Sequence, residues 1–262
     1  GSSLAEAEVE YEDKHSPAID VRFEVLDVVK FFESCHSVPG HHGEGPLSVV
    51  IWTTTPWTLP ANQAVSLNPK YEYVIVQCYK DGVKERLVLV SQLWQDAVDR
   101  YGMEGSHVLA YCNGDALENQ LLHHPFYHRK VPIILGDHVT AEAGTGAVHT
   151  APGHGQDDYV VGQRYGLPVD NPVGDNGVFL PNTEFFAGEH VFSANDLISK
   201  AIEGKTFLFI SASNWEVKVY NTATIINTEV RTHRMSETDE LEQRVITLFH
   251  ESIEAKMQAG ES

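Results

Sequence analysis

In VRFEV, Val21, Phe23 and Val25 alternate with polar residues, a spacing that predicts a strand with one buried face. Residues 9–35 as a whole read as an extended, acidic lead-in to this run, and Ser34 to Pro46 reads as a turn-rich break. LSVVIWTTTPW, from Leu47, is apolar and β-branched with little alternation, as a central strand would be. Pro56 and Pro60 lack the N–H that sheet pairing needs, so residues 53–62 are expected to leave the strand as an irregular loop. YEYVIVQCYK and VKERLVLV flank Asp81-Gly82, a dipeptide suited to a two-residue hairpin. SQLWQDAVDRYG is expected to be a helix capped by Ser91 and closed by Gly102.

Residues 106–150 read as mainly β, interrupted by a polar, histidine-rich turn at 122–130. Helical spacing returns from Gln156 to Tyr165, ended by Gly166, and from Ser193 to Ile202 behind a Ser-Ala-Asn-Asp cap. Residues 207–230 read as short strands. From Ser236 a capping box opens a helix with Leu241, Val245, Leu248, Phe249 and Met257 on one face, so this segment is expected to dock. The order of elements predicts one β-rich α+β domain.

Composition narrows the partners. The chain has 262 residues with 42% hydrophobic content, enough for a substantial core. No apolar run reaches the roughly 18 residues of a membrane span, and the acidic opening is unlike a basic signal or transit peptide. Cys35, Cys78 and Cys112 lie far apart, which argues against a disulfide framework and against a cysteine zinc site, with a reducing cytoplasm as the expected setting. The net charge of −19 leaves no cationic stripe for a long nucleic acid. Any such partner is expected to touch only a few nucleotides here, with another body supplying the grip.

The candidate chemistry concentrates in two places. GTGAVHTAPGHGQDDY, Gly144 to Tyr159, puts His149, His154, Asp157 and Asp158 in a glycine-rich loop expected to follow a buried strand end and open a helix. WTTTPWTLPAN supplies hydroxyls at Thr53, Thr54, Thr55 and Thr58, which can bind a carbonyl or position a water but are weak bases. On a helix Asp157 and Asp158 point in different directions, so one is expected to cap and the other to face a pocket. His149, His154 and Asp158 could also be read as a zinc-hydrolase set, although their spacing is unlike regular ligand spacing. His36, His41 and His42, and likewise His123, His124 and His128, read as surface turns.

TTTPWTLPAN at 53–62, LGDHVTAEAGTGAVHTAPGHGQDDY at 135–159 and GQRYGLPVDNPVGDNG at 162–177 resemble the editing (CP1) insertion of class I isoleucyl-tRNA synthetases, in its bacterial-type form. Valyl- and leucyl-type synthetases share the threonine strand and the aspartate but differ around His149. The resemblance spans roughly residues 5–200 and implies a barrel-like editing domain with peripheral helices over 1–205. Residues 206–262 are then a divergent C-terminal segment expected to pack on the same domain. The HIGH and KMSKS signatures of an aminoacylation site are absent from these residues.

The activity implied is deacylation of valyl-tRNA, and possible hydrolysis of valyl-adenylate, at the 3′ end of a tRNA delivered by the remainder of the synthetase. A pocket that senses one methylene discriminates by only about 1–3 kcal/mol, which is why a second, hydrolytic sieve is useful. By resemblance Asp158 binds the α-ammonium, and Thr54, Thr55 and Thr58 line the ester and its water. His149 walls off the larger side chain, and Asn62 holds the threonine loop or touches the terminal adenosine. Thr53, Trp57, Thr150 and Gly146 complete the expected substrate-binding set, with no metal and no cofactor. The alternatives are an aminoacyl-end binding module without turnover and an editing domain of the valyl or leucyl type.

Overall fold

The computed structural model describes residues 18–39, 42–202, 206–210 and 217–221. Two open sheets dominate, and the closed or barrel-like sheet expected from the resemblance does not form among the described residues, although the α+β class does. The larger sheet has six strands in the order β1 (Ile19–Glu24), β3 (Leu47–Thr53), β6 (Val83–Val90), β5 (Glu72–Lys80), β7 (Gly105–Asn113) and β2 (His36–Ser37). The smaller runs β10 (Ala147–Thr150), β4 (Ala64–Leu67), β9 (Lys130–Leu135) and β8 (Leu121–His123). A separate pair joins β11 (Thr206–Ile210) to β12 (Val217–Asn221), and the amphipathic helix expected from Ser236 lies outside the described residues.

Local sequence accounts for most of these elements. Val21 and Phe23 of β1 are fully buried and Arg22 between them is exposed, the alternation of a one-sided strand. The β5–β6 hairpin turns on Asp81 and Gly82 with φ of 49° and 76°, the left-handed pair that matches strand twist. Three short helices occupy α1 (Val28–Glu33), α2 (Trp94–Arg100) and α3 (Gln156–Tyr165), and α4 (Val191–Ile202) is the longest. Leu93, not Ser91, precedes α2 and no side chain caps it; Ser91 is still held to the sheet through its N–H, which donates to Glu72 O. Helix α4 starts before the expected Ser193, with the His190 ring accepting from the Phe192 N–H in its first turn, and Asn195 bonds Trp57 instead of capping.

The pairing of β2 with β7 sets His36 against Tyr111 and brings the Cα atoms of Cys35 and Cys112 within 4.4 Å, where they form a disulfide. This corrects the expectation drawn from sequence spacing, which carries no information about strands that pair across 77 residues. The third cysteine, Cys78, is buried in β5 and its thiol is pushed up to about 12 by desolvation. Among the described residues no helix is long and apolar enough to cross a membrane.

Candidate functional site

The end of β3 and the start of β10 meet at the edge of the smaller sheet. After Thr53 the chain does not wander as an irregular loop but tightens into a 3₁₀ helix, Pro56–Ala61, with proline at its first position where an N–H is not needed. Thr53 Oγ1 accepts from the Thr55 N–H at 3.1 Å and lies 3.4 Å from its hydroxyl, which fixes the approach to the turn. The segment following the turn becomes β4, which pairs with β10 so that Val65 faces His149 and Ala64 faces Thr150.

Two links join the threonine turn to the glycine-rich loop. Thr58 Oγ1 donates to Thr55 O at 2.8 Å and lies 2.9 Å from His149 Nε2. The hydroxyl has one proton, already given to Thr55 O, so the histidine must donate from Nε2. That tautomer leaves Nδ1 as an acceptor, buried and with no hydrogen-bond partner among the described residues. The second link is an edge-on contact between the Trp57 and His154 rings, centroids 5.1 Å apart.

Electrostatics follow from burial. The His149 imidazole is pushed down to about 4 by desolvation, with repulsion from His154 adding to it, so it is neutral at physiological pH. His154 is lowered by burial and partly restored by Asp170. Asp158, half-buried in the first turn of α3, caps nothing; its Oδ2 instead turns back to accept from the Ala151 N–H at 2.9 Å. Burial raises its carboxyl, opposed by that hydrogen bond and by His138 and reinforced by Asp157, which is exposed. No lysine or arginine forms an ion pair with Asp158 among the described residues.

The expected site residues therefore divide. Thr54 and Thr55 are exposed, Trp57 and Asp158 are half-buried, and Thr58 and His149 form the inner contact. Asn62 is fully buried and donates to Ala64 O at 2.7 Å, so it braces the chain behind the turn. Thr150 is also fully buried, with its hydroxyl 2.6 Å from that of Ser66. Gly146 has φ of 75° and a Cβ there would fall 2.3 Å from Val90 Cβ, so this glycine serves sheet packing. Gly153 is needed for a close approach instead, since its Cβ would fall 2.2 Å from Asp170 O.

Within the histidine-rich turn one ring departs from the expected surface position. His124 is buried, with its ring between Phe126 and Tyr127, and desolvation holds it well below the ordinary imidazole range. His123, His128 and the charges of Arg129 and Lys130 surround it in sequence, whereas Leu122 and the run Pro125-Phe126-Tyr127 were the signal for a packed ring. His36, His42 and His128 are exposed as expected, and His41 lies outside the described residues. A cleft of about 300 Å³, lined by Pro60, Tyr127, Arg129, Asp170 and Glu184 among others, adjoins the back of the 3₁₀ turn. Among the described residues no three His, Cys, Asp or Glu side chains converge as a metal-ligand group.

Comparison with known proteins places this geometry in context. A family model described as leucyl-tRNA synthetase, editing domain, matches residues 47–193. The chain is similar to isoleucine–tRNA ligase of Methylococcus capsulatus, with 65% identity over 212 residues, 81% of this chain and 22% of that protein. The isoleucine–tRNA ligase of Nitrosococcus oceani is 61% identical over 204 residues, 78% of this chain and 21% of that protein. The chain thus spans about a fifth of the length of the curated relatives it matches. Among solved structures, the P. falciparum cytosolic leucyl-tRNA synthetase editing domain superposes with a TM-score of 0.56 at 12% identity, covering 78% of this chain and 99% of that one. The corresponding P. knowlesi domain gives 0.53 at 12% identity, covering 78% and 96%. At that identity the likeness concerns the fold.

Proposed function

The chain belongs to the editing-domain family of class I aminoacyl-tRNA synthetases, isoleucyl type by its relatives, and on that premise we propose that it hydrolyses valine misattached to tRNA. The observation that carries the reading is the Thr58–His149 hydrogen bond, which joins the two motifs across 91 residues. Around it, groups suited to an aminoacyl ester occur together without a strong base at neutral pH. The exposed Thr54 and Thr55 hydroxyls offer donors and acceptors for the ester carbonyl and a water. The neutral, buried His149 ring offers an apolar boundary for a side chain.

Asp158 supplies the counter-charge. A carboxylate partly stripped of water gains most from a cation brought to it, and the α-ammonium of an aminoacyl group is such a cation. In the proposed reaction a positioned water attacks the ester carbon. The bond to the ribose oxygen breaks, and that oxygen leaves with a proton as the tRNA hydroxyl. Orientation and polar stabilisation then carry the rate. Valyl-adenylate presents the same ammonium and acyl carbon and is a second proposed substrate.

Asp158→Asn tests the assignment, because it keeps an oxygen for the Ala151 N–H and removes the charge. Loss of a charge-assisted hydrogen bond of about 1.5–3 kcal/mol predicts a fall of roughly 10- to 150-fold in kcat/KM for valyl-tRNA deacylation. Deacylation at the unmodified rate by a folded Asp158→Asn protein overturns the role of Asp158.

A further inference from the structure

The 3₁₀ turn that carries Thr58 ends on carbonyls that its own backbone satisfies only in part: the Asn62 N–H donates to Leu59 O at 3.0 Å, and His124 adds a second donor there. A short helix leaves its last C=O groups short of intrahelical donors, and Pro60 removes one N–H besides. These carbonyls are reached by two side chains from the far side of the β8–β9 connection. Arg129 Nη2 donates to Pro60 O at 3.0 Å and to Asn62 O at 2.6 Å. His124 Nε2 lies 3.1 Å from Leu59 O.

The histidine tautomer is determined by its surroundings. Its Nδ1 accepts from the Tyr127 N–H at 3.1 Å and more weakly from the Phe126 N–H at 3.4 Å, so Nε2 carries the proton and donates to Leu59 O. Arg129 is itself fixed: its guanidinium sits 5.0 Å from the Tyr127 ring centroid, while Tyr127 OH donates to Glu184 O at 2.9 Å. Thr58, buried one residue before Leu59, meets His149 through a single hydroxyl, so a small shift of the turn moves that contact directly.

We infer that His124 and Arg129 are positioning residues, which hold the end of the threonine turn from outside the pocket and so set the Thr58–His149 contact that governs side-chain selectivity. The selectivity clause rests on the proposed editing function; the positional clause does not. Both residues bond to carbonyls at the end of the turn and neither hydrogen-bonds Thr58 or His149, so the proposed effect passes through the turn. A purely structural role would lower stability and leave selectivity unchanged in whatever protein remains folded.

The test uses the full chain and two readouts. Arg129→Met removes both carbonyl bonds while keeping a stem of similar length, and Arg129→Lys returns an ammonium able to serve both carbonyls. Nitrogen chemical shifts of the His149 ring report its tautomer and its bond to Thr58 without any need for turnover. In Arg129→Met these shifts are expected to move, and the ratio of valyl- to isoleucyl-tRNA deacylation is expected to fall between about 10- and 100-fold, the cost of a misplacement on the ångström scale. Most of that fall is expected in kcat for the valyl ester. Arg129→Lys is expected to recover both signals at least in part.

If Arg129→Met does not fold, His124→Leu and its donor-retaining counterpart His124→Gln are read in the same way. Ring shifts that stay unchanged in the folded loss variant overturn the inference, as does a change that the conservative variant fails to reverse. Moved shifts with an unchanged deacylation ratio overturn the selectivity clause. Absence of deacylation in the unmodified chain counts against the proposed function alone, because the ring shifts still decide whether the turn is held in this way.

Discussion

His149 is the residue on which the most physical consequences converge. Its ring titrates near 4 when folded and at about 6.5 when unfolded, so on acidification the unfolded chain takes up a proton first. Its contribution to stability is thus complete near neutral pH, declines as pH falls through about 6.5, and levels off below about 4. The difference amounts to up to about 3 kcal/mol. Thermal melting from neutral pH to about pH 4 is expected to show a shallower loss in His149→Gln than in the parent chain. Parallel melting curves would sink this account. The same ring bounds the proposed pocket, and His149→Ala is expected to admit isoleucyl-tRNA to hydrolysis; continued rejection of the isoleucyl ester would show that the wall lies elsewhere.

At the scale of elements, the site depends on two segments docked on one short turn. Helix α4 reaches it through Asn195, whose Oδ1 accepts from the Trp57 N–H at 3.0 Å, and Ala194 and Ile198 bury the same side of the helix. Asn195→Ala is expected to cost about 1–3 kcal/mol, because it strands a partly buried N–H at the head of the turn. Denaturant unfolding of the two proteins measures it, and equal midpoints with equal slopes would refute it. Sequence spacing revealed α3 and its closing Gly166, the β5–β6 hairpin and the one-sided β1, since each carries its own periodicity or turn residue. It did not reveal β4. All four residues of Ala-Val-Ser-Leu are buried, so no alternation shows, yet this strand sets the register between Val65 and His149. The Cys35–Cys112 bond escaped because it arises from pairing between distant segments, and the buried place of His124 because charged and polar residues share its turn with the rings it packs between.

The whole molecule carries a net charge of −19, which bears on how it could meet a polyanion. If only the end of a tRNA enters the site, few phosphates are neutralised and few counterions released. Binding of tRNA to this chain is expected to weaken with salt at a slope of about −1 to −2 in log–log terms, against roughly −0.7 for each phosphate contacted on a single strand. Titrations at several salt concentrations measure the slope. A value several times steeper would mean a broad cationic contact that the charge distribution does not suggest.

The pairing of β4 between β10 and β9 also has a consequence in time. Thr58 leaves the ribosome 91 residues before His149, an interval of roughly 5–20 s at about 5–20 residues per second. Throughout that interval the side of β4 that later receives β10 has no strand to pair with, and an open strand edge is the usual starting point for wrong partners. The contact at the centre of the proposed site therefore becomes possible only after this interval, with the Asn195 bond to Trp57 later still, and the quality of nascent-chain protection during those seconds bears directly on how much correctly formed site each round of synthesis yields.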